Sequence, residues 1–229
     1  MLIKKKSLGI IFSCIISFVI VSNLLSKADN NFETELNNAG YSLNDVKDSE
    51  QVIIVNSSNK SFYYYEYSNN AWSFSGGFTE GSGNKLYVGK GGVGTASEGS
   101  SITPKGVFGL GIAFGKDTSE FTKIDYRVLN SNCYWVDDSD SIFYNKWVES
   151  STIFWNSAEH LNDYVNGAYK YAIFIEYNVN PVRKGEGSAF FLHCSTGSST
   201  QGCVAIPENY MVSVLKWLDD SKNPKIVIS

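Results

Sequence analysis

Two side chains in this sequence suit nucleophilic chemistry at a carbonyl carbon, and they sit ten positions apart. His193 follows the apolar run Ala189-Phe190-Phe191-Leu192. Cys203 opens a second one, Val204-Ala205-Ile206, after a small polar loop rich in Ser, Thr and Gly. A cysteine attacks as its thiolate, and an imidazole is the usual base that makes one. Gly202, just before the cysteine, lets the backbone approach a substrate closely. The same pair also fits a plain core reading, with the thiol as small filler and the imidazole satisfied by a backbone partner. Zinc is a poor fit, because the adjacent His193 and Cys194 point opposite ways on an extended chain. Asp137, Asp138 and Asp140 lack the alternating acids and closing glutamate of a calcium loop and read as a solvated turn. Lys90-Gly91-Gly92-Val93-Gly94 looks like part of a phosphate loop, but Thr95-Ala96 stand where the lysine and hydroxyl belong. His160 reads as exposed and structural. Neither a metal nor an organic cofactor is expected.

The residues around the pair are more specific than the pair itself. Thr200-Gln201-Gly202-Cys203 resembles the Ser/Thr-x-Gly-Cys motif of the L,D-transpeptidases (YkuD-type catalytic domain), and Gly187 to His193 resembles the segment that brings in that family's histidine. Glu98 to Gly111, with Thr103-Pro104-Lys105-Gly106-Val107-Phe108, resembles its Gly-rich, Thr-Pro-x-Gly-x-Phe region. Tyr134 to Asp138 and Tyr144-Asn145 resemble a further segment, so the likeness runs from about Val52 to Ile228.

The resemblance implies a peptidoglycan substrate and acyl transfer through a thioester, from a tetrapeptide stem to an amine acceptor. It implies Cys203 as nucleophile, its pKa lowered by His193 as imidazolium. The carbonyl of Cys194 orients the imidazole, and the amides of Gly202 and Cys203 hold the oxyanion. Thr200, Gln201, Tyr144 and Asn145 become candidate substrate contacts. Two departures stand out. Gln201 replaces a frequent histidine, and Ala205 replaces a frequent arginine that would grip a stem carboxylate. Hydrolysis of the same thioester, an L,D-carboxypeptidase outcome, is therefore the natural rival. A non-catalytic wall-binding protein, whose aromatic residues stack on sugars, is the reading from a different class.

The elements that must position these residues are mostly strands. Short runs rich in aromatic and β-branched residues alternate with turn residues: 52–55, 62–67, 72–74, 86–88, 107–110, 126–129, 134–136, 171–177 and 188–192, with Lys225 to Ile228 closing the chain. The pattern predicts a mainly β domain over 51–229, a YkuD-like sandwich or barrel with a few short helices. One helix follows Pro207, with Met211, Val214, Leu215 and Leu218 on one apolar face. It is expected to pack on the sheet and steady the nucleophile loop. Asn156 with Glu159 reads as a capping box for a second helix.

Upstream, Lys4-Lys5-Lys6 precede an uncharged stretch from Ser7 to Ser26. That pattern predicts a secretory signal or membrane anchor over 1–28, its ~20 residues giving about 30 Å as a helix. Cys14, inside it, reads as a membrane cysteine. The catalytic part is thus expected outside the cytoplasm, in the cell envelope, secreted or anchored. Residues 29–50 read as a polar linker, with a short helix at Phe32 to Asn38. Cys133, Cys194 and Cys203 are read as three free thiols. The net charge of −4 offers no footprint for nucleic acid. A monomer acting on stem peptides is the expected working unit.

Overall fold

The structure, a computed structural model, describes residues 32–81, 83–117 and 122–229. The expected signal or anchor over 1–28, Cys14 included, lies outside the described residues. Among the described residues no helix is long and apolar enough to cross a membrane.

The chain is mainly β, built on one curled, half-barrel sheet of nine strands. Its strands are β1 (Gln51–Asn56), β2 (Ser61–Ser68), β3 (Ala71–Thr79), β6 (Gly106–Gly115), β7 (Tyr126–Val128), β11 (Tyr171–Ile175), β12 (Phe191–Cys194), β13 (Val204–Ile206) and β14 (Lys225–Ile228). They run in the order β13-β12-β11-β6-β14-β1-β2-β3, with β7 beside β6. A small sheet joins β8 (Cys133–Val136) to β9 (Lys146–Glu149) and β10 (Ala158–His160), and β4 (Val93–Gly94) pairs with β5 (Thr103–Pro104).

The large sheet is covered on both faces, which is why its central strands read as unbroken apolar runs. In β1, Val52 and Ile54 pack under the helix α1 (32–38) through Phe32 and Leu36, and under Ala39 just after it. Phe32 also stacks on Trp72 with ring centroids 4.1 Å apart. The alternate residues Ile53 and Val55 face the opposite core with α2 (Glu208–Trp217). There Met211, Val214 and Leu215 are fully buried, the face expected from their spacing.

Two local readings change. The stretch read as a polar linker is docked from residue 32 on, because Phe32, Leu36, Ala39 and Val46 supply enough apolar surface to cover β1 and β2. Where Asn156 and Glu159 predict a capped helix, the chain forms strand β10 and then a single 3-10 turn, Leu161–Tyr164. Pairing with β8, Glu159 opposite Trp135, overrides the local capping signal.

Candidate functional site

The site lies at the β13 edge of the large sheet. β12 and β13 run parallel, with His193 opposite Ala205. Cys203 stands two residues before Ala205, so by strand alternation it shares the face of His193. That face packs with Phe191 and Trp135 against the small sheet, while Leu192 and Cys194 point the other way, toward α2. Helix α2 thus packs behind the strands that carry His193 and follow Cys203. His193 lies within β12 rather than after it. Ala189 takes a left-handed backbone (φ 55°), which moves the start of the strand to Phe191.

His193 is buried, with Nδ1 2.9 Å from the carbonyl oxygen of Cys194. A carbonyl only accepts, so Nδ1 carries the proton and Nε2 is left with a lone pair. The edge of the Tyr169 ring meets the imidazole, with centroids 5.7 Å apart and planes at 85°. The Cys203 sulfur receives the Phe191 amide at 3.4 Å and donates to the Ala189 carbonyl at 3.5 Å. A sulfur that donates to a carbonyl is a thiol. Burial pushes this thiol well above the ordinary range, the nearby Glu159 carboxyl adds to the rise, and burial lowers His193 below its ordinary value. The resting pair is therefore neutral, not the thiolate and imidazolium that the family resemblance implies. Burial disfavours the charged form of each group.

The loop before Cys203 is fixed by hydroxyls. Thr200 Oγ1 donates to the Cys203 carbonyl at 2.7 Å and accepts the Gly202 amide at 3.1 Å. Thr103 Oγ1 reaches the same carbonyl at 3.3 Å and accepts the Gly89 amide at 2.8 Å. Gly202 has φ +142°, and a Cβ there would lie 2.5 Å from the Phe190 ring and 3.2 Å from the Ile102 carbonyl. The glycine is required by this packing rather than by a substrate. Its amide is already engaged by Thr200, so it is not a free oxyanion donor. The Cys203 amide has no acceptor among the described residues.

His193 and Cys203 line one cleft of about 680 Å³, with Thr200, Gln201 and Gly202 on its rim. Gln201 Oε1 accepts from Ser101 at 2.6 Å, which ties the loop to the segment opposite. Tyr144 and Asn145 are not among the lining residues; both are buried. The Tyr144 hydroxyl donates to Glu98 at 2.5 Å and accepts from the Gly187 amide at 3.1 Å. Asn145 Oδ1 receives the Ala189 amide at 3.2 Å and Trp135 Nε1 at 3.0 Å, holding the turn into β12. Ala205 is buried and exchanges backbone hydrogen bonds with Tyr87. His160 pairs with Asp163 and stacks on Tyr134, a structural role. Cys133, Cys194 and Cys203 are free thiols, and burial lifts Cys194 to about 12.

Glu98, Ser101, Glu159 and Tyr169 also line the cleft, and none carries a functional signal in the sequence, where Glu159 reads only as a helix-capping residue. Glu159 accepts the Tyr169 hydroxyl at 2.5 Å at the base of the cleft, and burial lifts its carboxyl to about 7. Tyr169 itself is driven upward by burial and then by Glu159. No local signal marks this pair, because β10 and the turn before β11 meet only in the fold.

A parallel strand pair, backed by a helix, thus brings a cysteine and an imidazole to one cleft at a sheet edge. Residues 50–228 match the YkuD family model, the L,D-transpeptidase catalytic domain. The chain belongs to that family of cell-wall enzymes. Among solved structures it is similar to the helical cell shape determining protein Pgp2 from Campylobacter jejuni, with 16% identity and a TM-score of 0.47 over 79% of this chain and 48% of that one. The K307A mutant of Pgp2 matches at 15% and 0.46, over 80% and 48%. Bd1075 of Bdellovibrio bacteriovorus matches at 12% and 0.42, over 79% and 47%. This chain thus spans about half the length of the solved chains it resembles. No curated protein matches it.

Proposed function

We propose that this chain is a peptidoglycan L,D-transpeptidase of the cell envelope, with Cys203 as nucleophile and His193 as its proton partner. One observation carries the reading: one cleft is lined by both side chains, and with Nδ1 held by the Cys194 carbonyl, Nε2 has no hydrogen-bond partner among the described residues.

Starting from the neutral pair, His193 Nε2 takes the Cys203 proton as sulfur attacks the carbonyl carbon of the L-to-D peptide bond. The Cys203 amide is the available donor for the oxyanion. On collapse the C–N bond breaks, and the imidazolium gives its proton to the departing amine of the terminal D-amino acid. A thioester remains on Cys203. An acceptor amine then attacks it and releases the thiol. Burial of the charged forms means the proton moves with attack, not ahead of it.

Hydrolysis is the second reading, supported by Ala205. A buried alanine covered by Tyr87 leaves no cation at that position to hold a stem carboxylate. Incubation of the full chain with disaccharide-tetrapeptide, followed by mass analysis, decides between them. Cross-linked dimer supports transfer, and tripeptide alone supports hydrolysis. No product of either kind overturns the enzyme reading.

A further inference from the structure

The cleft is lined by four acidic side chains, Glu98, Asp137, Glu159 and Asp163, and by no lysine or arginine among the described residues. Three of the four are committed to structural partners. Glu98 Oε2 receives both Tyr144 and Ser188, Asp137 receives Ser157, and Asp163 pairs with His160. Each of the four is bonded through one carboxylate oxygen, and no described residue is bonded to the other. Glu159 differs in its burial, which raises its carboxyl, and in its partner: its Oε1 takes the hydroxyl of Tyr169, the ring that also meets His193. The strand register of β10 with β8 sets Glu159 opposite Trp135, so the carboxyl is held by backbone pairing and by a hydroxyl rather than by an ion. Tyr169 links it to the reactive pair, since its ring also meets His193 edge-on.

A carboxylate with one open oxygen, in a cleft whose fixed charges are all negative, suits a visitor that brings positive charge and a proton to lose. An amine acceptor arrives at neutral pH as an ammonium and attacks only after losing a proton. We propose that Glu159 receives the amine acceptor and removes its proton; this rests on the thioester reading above. Glu159 Oε2 accepts a hydrogen bond from the ammonium and takes that proton, so the carboxylate becomes a carboxylic acid and the ammonium an amine. The amine nitrogen attacks the thioester carbon, the C–S bond breaks, and the sulfur leaves with a proton from His193, which gains the second amine proton as the new amide forms. Tyr169 is the positioning residue, keeping Oε1 occupied so that Oε2 faces the acceptor. A carboxyl near 7 is suited to this exchange, because it takes and returns a proton at neutral pH.

The test uses the full chain with disaccharide-tetrapeptide as donor, glycinamide as amine probe and glycolamide as its uncharged counterpart. The readout is the ratio of amide product to hydrolysed tripeptide. Glu159→Gln, whose amide oxygen still accepts from Tyr169, is expected to lower that ratio by about 100-fold. Glu159→Asp, which keeps the charge but shortens its reach, is expected to fall in between and serves as the deciding variant if the glutamine form does not fold. Glycolamide is expected to give no ester above background. A purely structural role lowers both products together, so an unchanged ratio in either variant overturns the proposal. Equal capture of glycolamide and glycinamide by the wild type also overturns it. Absence of any mass gain on wild-type Cys203 overturns the thioester reading instead, a separately visible failure.

Discussion

The hydroxyl of Thr103 donates to the carbonyl oxygen of Cys203 at 3.3 Å, joining the turn-rich segment after β4 to the Cys203 loop from 100 residues away in sequence. Thr103 is fully buried and also accepts the Gly89 amide, so one hydroxyl ties the backbone at Gly89 to that at Cys203. Thr103→Val keeps the shape and removes the hydroxyl, leaving the buried Gly89 amide without its acceptor. It is expected to cost roughly 1–3 kcal/mol in thermal or urea unfolding. Acylation of Cys203 is expected to slow by up to about 100-fold, because a small shift of the nucleophile is costly.

Gly202 is expected to be intolerant for a steric reason, not a chemical one. The Cβ of Gly202→Ala would meet the Phe190 ring at 2.5 Å on a backbone with φ +142°. The backbone conformation alone is expected to cost about 1–3 kcal/mol. Phe190→Ala added to Gly202→Ala relieves the contact but not the backbone strain. The double variant is therefore expected to recover only part of the loss on top of the cost of Phe190→Ala alone, measured as a coupling in a double-mutant cycle.

The pH dependence of Cys203 separates a neutral resting pair from an ionised one. Burial raises the thiol and lowers the imidazole, so at pH 7 the free protein holds thiol and neutral imidazole. Iodoacetamide modification of Cys203, followed by peptide mass mapping, is expected to be slow at pH 7. It should keep accelerating above the ordinary thiol range, with no plateau between pH 5 and 8. A plateau there would mean a preformed thiolate.

Glu159 predicts a stability effect that needs no substrate. Its folded carboxyl lies near 7 against 4.5 when unfolded, chiefly through burial. Between those values unfolding releases a proton, so its contribution to stability falls as pH rises and then levels off above about 7. Glu159→Gln removes that penalty. The variant is expected to match the wild type near pH 4 and to be more stable at pH 8, by up to about 3 kcal/mol. His193 shifts stability the other way below its ordinary value, and the comparison at each pH cancels it.

Much of this organisation is legible in the sequence because it is local. The apolar run at Val52 to Val55 and the spacing of Met211, Val214 and Leu215 give β1 and α2 almost residue by residue. The motif around Cys203 points to the family because a glycine beside Phe190 and a threonine on the Cys203 carbonyl leave a short, recognisable string. What is illegible depends on distant contacts. The capping pattern at Asn156 loses to pairing with β8, and the polar composition of 29–50 hides the four residues that dock it. Tyr144 and Asn145 look like substrate contacts but brace the turn at Ala189 from beneath. The neutral state of Cys203 and His193 follows from burial, which residue types alone do not report.

The proposed chemistry requires a covalent bond at one sulfur. The most direct measurement is the intact mass of the full chain, quenched in acid seconds after mixing with disaccharide-tetrapeptide, with peptide mapping of any adduct. The expected result is a mass gain equal to the stem less its terminal D-amino acid, carried on Cys203, and no gain in Cys203→Ala. Turnover of the same stem by Cys203→Ala, or an adduct on Cys133 or Cys194 instead, would contradict it.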